Sequence, residues 1–330
     1  MDFKNKVILL TGGTGSFGSN FIKCFLKKCT PKRIRIYSRD EHKQEVLLRD
    51  PYYGGILDGF IGNVREKDRL RRAMEGVDIV IHAAALKQVQ SCEYNPFETI
   101  KTNILGSMNV ADAALDANVE KVLAISTDKA VHPLNLYGAT KMCMEKLLMN
   151  ANSYKGGNRR TKISCVRYGN VAGARGTVIP LWRDLLREKK PLLLTNPLAT
   201  RYWIDMQMAI DFVIESLHLM DSHCGGELFI PKLPSWTIKD LFEAMKHSDT
   251  ELSVIGDRIG DKVHETLVSG DEMRHTIDTP DRYVIYPEDP KWEYYQPKGV
   301  SCLGRNAYTS DSNDWFYTVE EIKEKLSKVN

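Results

Sequence analysis

Five groups able to move protons or hydride sit close together in this chain: Ser126-Thr127-Asp128-Lys129, then Tyr137-Gly138-Ala139-Thr140-Lys141. Tyr137 and Lys141 are four apart, so on a helix they share one face. An ammonium beside a phenol favours phenolate and lowers its pKa. That equips Tyr137 to take a hydroxyl proton as hydride leaves the same carbon. Tyr-x-x-x-Lys arises by chance in many helices. Its weight here comes from Ser126 and Thr127 at a predicted strand end and from a glycine loop upstream. Asp128 and Lys129 go beyond hydride transfer. They supply the acid and the base that an elimination needs: one removes a carbon-bound proton, the other protonates a departing hydroxyl. Neighbouring Asp and Lys are ordinarily a surface ion pair, but the carboxyl end of a parallel strand is where this kind of sheet places its chemistry.

The glycine loop is Thr11-Gly12-Gly13-Thr14-Gly15-Ser16-Phe17-Gly18. Gly12, Gly15 and Gly18 follow the apolar run Val7-Ile8-Leu9-Leu10 and open a helical pattern, the strand–turn–helix setting in which such a motif cradles a dinucleotide pyrophosphate. Thr14, Ser16 and Phe17 complete the loop. The tip of the second strand reads Tyr37-Ser38-Arg39-Asp40, with Lys43 one turn on. Ser38 and Arg39 suit a 2′-phosphate, so NADP is the favoured cofactor. Asp40 keeps NAD open if Arg39 points to solvent. Asn63-Val64 after the third strand would flank adenine, and Ala83-Ala84-Ala85 after the fourth would let the backbone lie against the cofactor.

These groups need a scaffold, and the chain reads as an α/β one. Short β-branched runs at Val7–Thr11, Ile34–Ser38, Gly59–Gly62, Ile79–Ala83, Lys121–Ser126 and Ile163–Arg167 alternate with helical stretches at Phe17–Lys28, Lys67–Met74 and Pro96–Asn118. Strands alternating with helices predict βαβ units and a doubly wound parallel sheet of Rossmann type. The regularity breaks after Val171, predicting a smaller interwoven substrate-binding lobe: residues 1–172 with 206–230 hold the cofactor, and 173–205 with 231–330 the substrate. Met206–Leu219 reads as a helix, Glu227–Ile230 as a strand returning to the sheet, and Asp278–Asp314 as loops. Thr318 and Glu321 predict a capping box opening a last helix. Of 330 residues, 46 are Lys or Arg and 43 Asp or Glu, a net charge of +3 that argues against nucleic acid as a partner. No apolar run reaches the roughly 18 residues of a membrane span. Seven scattered cysteines without metal spacing suit a reducing compartment, hence a cytoplasmic expectation.

A glycine loop followed by Ser/Thr and Tyr-x-x-x-Lys resembles the short-chain dehydrogenase/reductase superfamily, and the length resembles its extended, sugar-nucleotide branch. Ser-Thr-Asp-Lys-Ala at 126–130, Pro133 and Asn135–Lys141 are more specific. With Ala83–Lys87, Glu93–Pro96, Val166–Val171, Arg175-Gly176, Thr200–Ile204 and Gly226–Lys232, they resemble the inverting UDP-N-acetylglucosamine 4,6-dehydratases of pseudaminic acid biosynthesis over nearly the whole chain. Gln88 stands where that family usually has His, Asn63 where it often has Asp, and residues 256–262 carry Ile and Asp in an Arg-Pro-Gly-Glu-Lys-like loop.

The resemblance implies a retained NADP. Tyr137 takes the carbon 4 hydroxyl proton, and Thr127 hydrogen-bonds that oxygen. Lys129 removes the carbon 5 proton, Asp128 protonates the carbon 6 hydroxyl, and Lys141 holds Tyr137 and the nicotinamide ribose. Classical glucose dehydratases carry Asp-Glu at the corresponding pair, so Lys129 is tied to inversion. For UDP-N-acetylglucosamine itself, Arg201 and Arg258 are the diphosphate candidates. Asn170, Arg175 and Thr177 would reach the nucleotide, Glu265 the ribose hydroxyls, and Lys87 the sugar. The branch also implies a homo-oligomer paired through Pro96–Asn118 and Tyr137–Asn150. A UDP-sugar 4-epimerase, a dehydratase of another nucleotide sugar and a non-catalytic NADP-binding regulator are the rival readings.

Overall fold

The computed structural model describes residues 2–154, 156, 160–174, 176–256, 260–287 and 298–329. Six parallel strands come first: β1 Val7–Thr11, β2 Arg33–Ser38, β3 Leu57–Ile61, β4 Ile79–His82, β5 Lys121–Ile125 and β6 Lys162–Val166. Most are apolar on both faces because helices cover both sides, as an all-parallel sheet requires. Those helices are α1 Ser16–Lys28, α2 Glu41–Arg49, α3 Lys67–Met74, α4 Val89–Tyr94, α5 Pro96–Ile100, α6 Gly106–Asp116 and α7 Leu136–Asn150. Ile8, Leu9, Leu10, Ile34, Ile36 and Ile79–Ile81 are sealed inside with Phe21, Ile22 and Phe25 of α1.

The second half adds α8 Val178–Arg187, β7 Leu192–Leu194, β8 Thr200–Tyr202, α9 Met206–Leu219, β9 Leu228–Pro231, β10 Ser235–Thr237, α10 Ile238–Met245 and β11 Leu252–Val254. Beyond them come β12 Thr266–Val268, β13 Thr276–Asp278, β14 Arg282–Ile285, β15 Val300–Ser301, β16 Tyr308–Thr309 and α11 Val319–Lys328. The main sheet runs β15-β13-β14-β9-β6-β5-β4-β1-β2-β3. As expected, β9 returns to it, parallel to β6. A second apolar cluster, built on Trp182, Trp203, Trp236, Leu241 and Ile322, joins α8, α10 and α11. The Thr318–Glu321 capping box opens α11.

Two expectations need correction. Asp278–Asp314 is not all loop, because β14, β15 and β16 lie within it. β14 is four residues long and is stabilised by antiparallel pairing to the edge of β9, a long-range partner that local periodicity does not reveal. Pro96–Asn118 is not one continuous helix. A π-helical turn at Lys101–Leu105 separates α5 from α6, and α6 stops at Asp116.

One buried cluster fastens α7 to the sheet. Arg167, just past β6, donates to Glu145 of α7 through Nε (3.0 Å) and Nη2 (2.6 Å), and to Glu272 through Nη1 (3.0 Å) and Nη2 (2.8 Å). Removing one partner from a buried charge cluster typically costs about 3–5 kcal/mol. The helix that carries Tyr137 and Lys141 is therefore held rigidly in place.

Candidate active site

The cradle forms where β1 ends. Gly12 turns the chain with φ +69°, and a Cβ there would meet the Ala84 Cα and N at 3.0 Å. The glycine loop thus lies directly on the Ala83-Ala84 backbone. Helix α1 starts at Ser16 with Gly15 as N-cap, no side-chain cap and no acid in its first turn. Its free N–H groups and positive end are what a pyrophosphate needs, so the residues present fit a dinucleotide. Thr14 and Ser16 are half-buried at the loop and Gly18 is buried in the first turn. Phe17 stacks on Phe21, centroids 5.8 Å apart, a packing role.

At the tip of β2, Ser38 is buried and its hydroxyl accepts from Gln44 Nε2 at 2.9 Å. Asp40 caps α2 by accepting from the Lys43 N–H at 3.0 Å, and its other oxygen pairs with Lys43 Nζ at 2.7 Å. Those contacts, Lys43 hydrogen bonds foremost, lower the Asp40 pKa. Arg39 is exposed. Asp40, the acid that would favour NAD, is engaged at its own helix start, but Arg39 faces solvent, the condition under which NAD stays open. Asn63 accepts from the Arg65 N–H at 3.2 Å, and its carbonyl takes the Tyr37 hydroxyl at 2.9 Å. Val64 is buried next to it.

The proton-moving groups meet at the carboxyl end of β5. Thr127 starts a short 3-10 turn, Asp128–Ala130, that lies against the N-terminal turn of α7. A Cβ at Gly138 would collide with the Lys129 carbonyl oxygen. Only glycine after Tyr137 lets the Asp128-Lys129 turn sit this close to the phenol. The Thr127 hydroxyl donates to Asp128 Oδ1 at 2.9 Å, and Lys129 Nζ lies 3.3 Å from the same oxygen. Asp128 is buried, so this is no solvated surface pair.

Burial pushes the Lys129 ammonium towards neutrality, but Asp128 and then Glu265 outweigh it, and its pKa is raised. Burial pushes the Tyr137 phenol up to about 12, against the opposing influence of Lys129 and the Thr127 hydroxyl. Burial likewise brings Lys141 down to about 8. Lys141 donates to the Ile125 carbonyl at 2.6 Å and touches Met144 Sδ at 2.9 Å. The cation acting most on Tyr137 here is therefore Lys129, which the Tyr-x-x-x-Lys pattern alone does not reveal.

On the substrate side, Asn170 Oδ1 lies 3.4 Å and Glu265 Oε1 3.5 Å from Lys129 Nζ. Glu265 is buried, and its Oε2 has no partner among the described residues. It sits in the proton-transfer cluster itself. Arg201 donates to the carbonyls of Thr200 (2.7 Å), Val263 (2.8 Å) and Lys262 (3.0 Å), with Nε 3.5 Å from Glu265. Its donors are engaged by the protein in this conformation. Lys87 is exposed, and Ala85 is half-buried. Thr177 donates to the Ala174 carbonyl at 2.7 Å at the start of α8. Arg175 and Arg258 lie outside the described residues.

Sequence reading missed the buried set below the loop. Thr11 is hydrogen-bonded to His82 Nδ1 at 2.7 Å, His82 Nε2 to Ser107 at 2.9 Å, and Asn103 Nδ2 to Thr140 at 3.0 Å. Polar residues scattered over five elements give no local pattern. The only signal in the sequence was a polar side chain on an otherwise apolar face.

A phenol, a hydroxyl and an ammonium gathered at the carboxyl ends of parallel strands, beside a loop shaped for pyrophosphate, define the extended short-chain dehydrogenase/reductase class of Rossmann folds. Within it the chain belongs to the polysaccharide biosynthesis protein family, whose model matches residues 8–287. It is 42% identical to a UDP-N-acetylglucosamine 4,6-dehydratase (inverting) of Campylobacter jejuni, over 98% of each chain. It is 39% identical to a UDP-glucose 4-epimerase of Rickettsia felis, over 99% of this chain and 97% of the relative. Among solved structures, Pen from Bacillus thuringiensis is 34% identical with TM-score 0.88, covering 99% of this chain and 98% of that one. No described helix is long and apolar enough to cross a membrane.

Proposed function

We propose that this chain is an NADP-dependent hydro-lyase that removes water across carbons 5 and 6 of UDP-N-acetylglucosamine and inverts carbon 5, giving a UDP-4-keto-6-deoxy-L-hexosamine. The observation that carries this reading is the buried Asp128 with Lys129 at 3.3 Å, next to Thr127 and Tyr137. Hydride transfer alone needs neither. The 42% identical Campylobacter jejuni dehydratase supports it. A bound nicotinamide would accept hydride from carbon 4 and return it to carbon 6. Tyr137 takes the carbon 4 hydroxyl proton, with Thr127 holding that oxygen. The new ketone acidifies carbon 5, Lys129 removes its proton, and Asp128 donates to the carbon 6 hydroxyl as it leaves as water. Lys141 and Ser38–Arg39 hold the ribose ends of the cofactor. The Rickettsia felis relative favours a second reading, a UDP-sugar 4-epimerase. Incubation with UDP-N-acetylglucosamine separates the two: a product lighter by one water supports dehydration, and unchanged mass with an altered carbon 4 configuration supports epimerisation.

The cofactor half makes its own prediction. With Asp40 occupied and Arg39 open, Arg39→Ala should cut the preference for NADP over NAD. A charge-assisted contact contributes about 1.5–3 kcal/mol, so the ratio of the two dissociation constants should change roughly 10- to 150-fold. NAD co-purifying with the wild-type protein would contradict the assignment.

A pH prediction follows from Lys129. Its pKa is raised, so the resting ammonium is charged and must lose a proton before it can act as a base. Elimination should therefore increase with pH through the Lys129 pKa. Glu265→Gln removes one of the two carboxylates that raise that pKa, and the rising limb should move to lower pH. A limb that stays in place, or moves up, means Glu265 does not set the charge on Lys129. Tyr94, Phe97, Leu105, Met108 and Met142 expose apolar surface from α4 to α7, and we assign this face to a second copy of the chain.

A further inference from the structure

Below the cofactor cradle, a chain of hydrogen bonds runs through the protein interior from the end of β1 to the helix of Tyr137. Thr11, His82, Asn103, Ser107 and Thr140 are all buried. The Thr11 hydroxyl oxygen accepts from the N–H groups of Ala83 (3.2 Å) and Ala84 (3.3 Å), so its own proton goes to His82 Nδ1 at 2.7 Å. At the other end, the Ser107 hydroxyl donates to the Asn103 carbonyl at 2.7 Å, so it must accept from His82 Nε2 at 2.9 Å. Both ends demand the same species: a neutral imidazole carrying its proton on Nε2.

The chain then continues through Asn103. Its Oδ1 accepts from the Leu86 N–H at 2.8 Å. Its Nδ2 donates to the Leu86 carbonyl at 2.9 Å and to the Thr140 hydroxyl at 3.0 Å. Thr140 donates to the carbonyl of Tyr137 at 2.8 Å. Asn103 and Ser107 are brought into line by the π-helical turn at Lys101–Leu105. Such turns are rare and frequently lie at functional sites.

We propose that His82 is a positioning residue: as a neutral Nε2–H imidazole, it locks the Ala83–Leu86 floor of the cofactor cradle to the π-helical turn, and through Asn103 and Thr140 to the backbone of Tyr137. One histidine thereby sets the distance between the cofactor seat and the phenol. This rests on the reading of Gly12–Gly18 as the cofactor cradle and Tyr137 as the base. The charged group that acts on His82 is Lys141, and burial, then Lys141, depresses the imidazole pKa to about 3. His82 therefore keeps one proton across the working pH range.

Two measurements test this. In nitrogen-15 spectra of the intact protein, the imidazole signal that disappears in His82→Phe should show the Nε2–H tautomer and should not titrate between about pH 5.5 and 8.5. An Nδ1–H tautomer, or titration in that range, overturns the proposal. His82→Phe keeps a planar ring but removes both contacts. It should raise the NADP dissociation constant about tenfold and slow single-turnover reduction of the cofactor about tenfold, with UDP affinity within about twofold of wild type. His82→Gln, which keeps one donor and one acceptor, should fall between, and it carries the test if the Phe variant does not fold. Cofactor affinity and reduction rate within twofold of wild type in both variants overturn the proposal while leaving the proposed function intact. Wild-type protein that binds no NADP(H) overturns the functional reading itself.

Discussion

Lys129→Ala should abolish formation of the dehydrated sugar while leaving oxidation at carbon 4 detectable. With UDP-N-acetylglucosamine the variant should accumulate reduced cofactor absorbance and release little product, with elimination down at least about 100-fold. Lys129 is the only cation within 3.5 Å of both Asp128 and Glu265 among the described residues. Alanine also removes the ion pairs that Lys129 makes with Asp128 and Glu265. Asp128→Asn separates the roles. The amide keeps the shape and can still accept from Thr127, but it cannot donate a proton as an acid does. Water loss should slow by a similar factor, while exchange of the carbon 5 proton with solvent persists. Wild-type rates in both variants would reduce the pair to a structural ion pair and remove the support for dehydration.

Tyr137→Phe should have the second large effect. The phenol lies at the N-terminal turn of α7, against a turn whose closeness depends on Gly138. Phenylalanine keeps the ring and its packing, so folding and UDP-sugar binding should be near normal. Turnover should fall at least about 100-fold, the usual contribution of a positioned acid–base group. Burial raises the Tyr137 pKa to about 12, with Lys129 and the Thr127 hydroxyl opposing it. The loss should appear in the rate of cofactor reduction and not in KM. A variant that reduces its cofactor at the wild-type rate would place the base elsewhere.

The nucleotide half of the fold was legible because its signals are local. A strand, a turn and a helix N-terminus lie within Val7–Lys28, and β1 to β6 follow the same pattern of apolar runs and helices. Asp128 with Lys129, and Tyr137 with Lys141, were legible as pairs for the same reason, being close in sequence. What stayed hidden depended on long-range partners. β14 exists because β9 offers an edge. Glu265 is legible only as a candidate for the ribose hydroxyls, and only folding carries it to 3.5 Å from Lys129. The π-helical turn adds one residue to a helix without altering its composition, so Asn103 and Ser107 could not be placed from periodicity. Arg201 looked like a free cation because the carbonyls that engage it belong to residues 200 and 262–263.

Isotope labelling at two carbons of one substrate tests dehydration with internal hydride return most directly. UDP-N-acetylglucosamine carrying deuterium at carbon 4 should give a product with that deuterium in the carbon 6 methyl group, within the same molecule. Unlabelled substrate in deuterium oxide should give deuterium at carbon 5, in the L configuration. Retention of the carbon 4 label at carbon 4, with no exchange at carbon 5 and no loss of water, would contradict dehydration and leave the chain an epimerase.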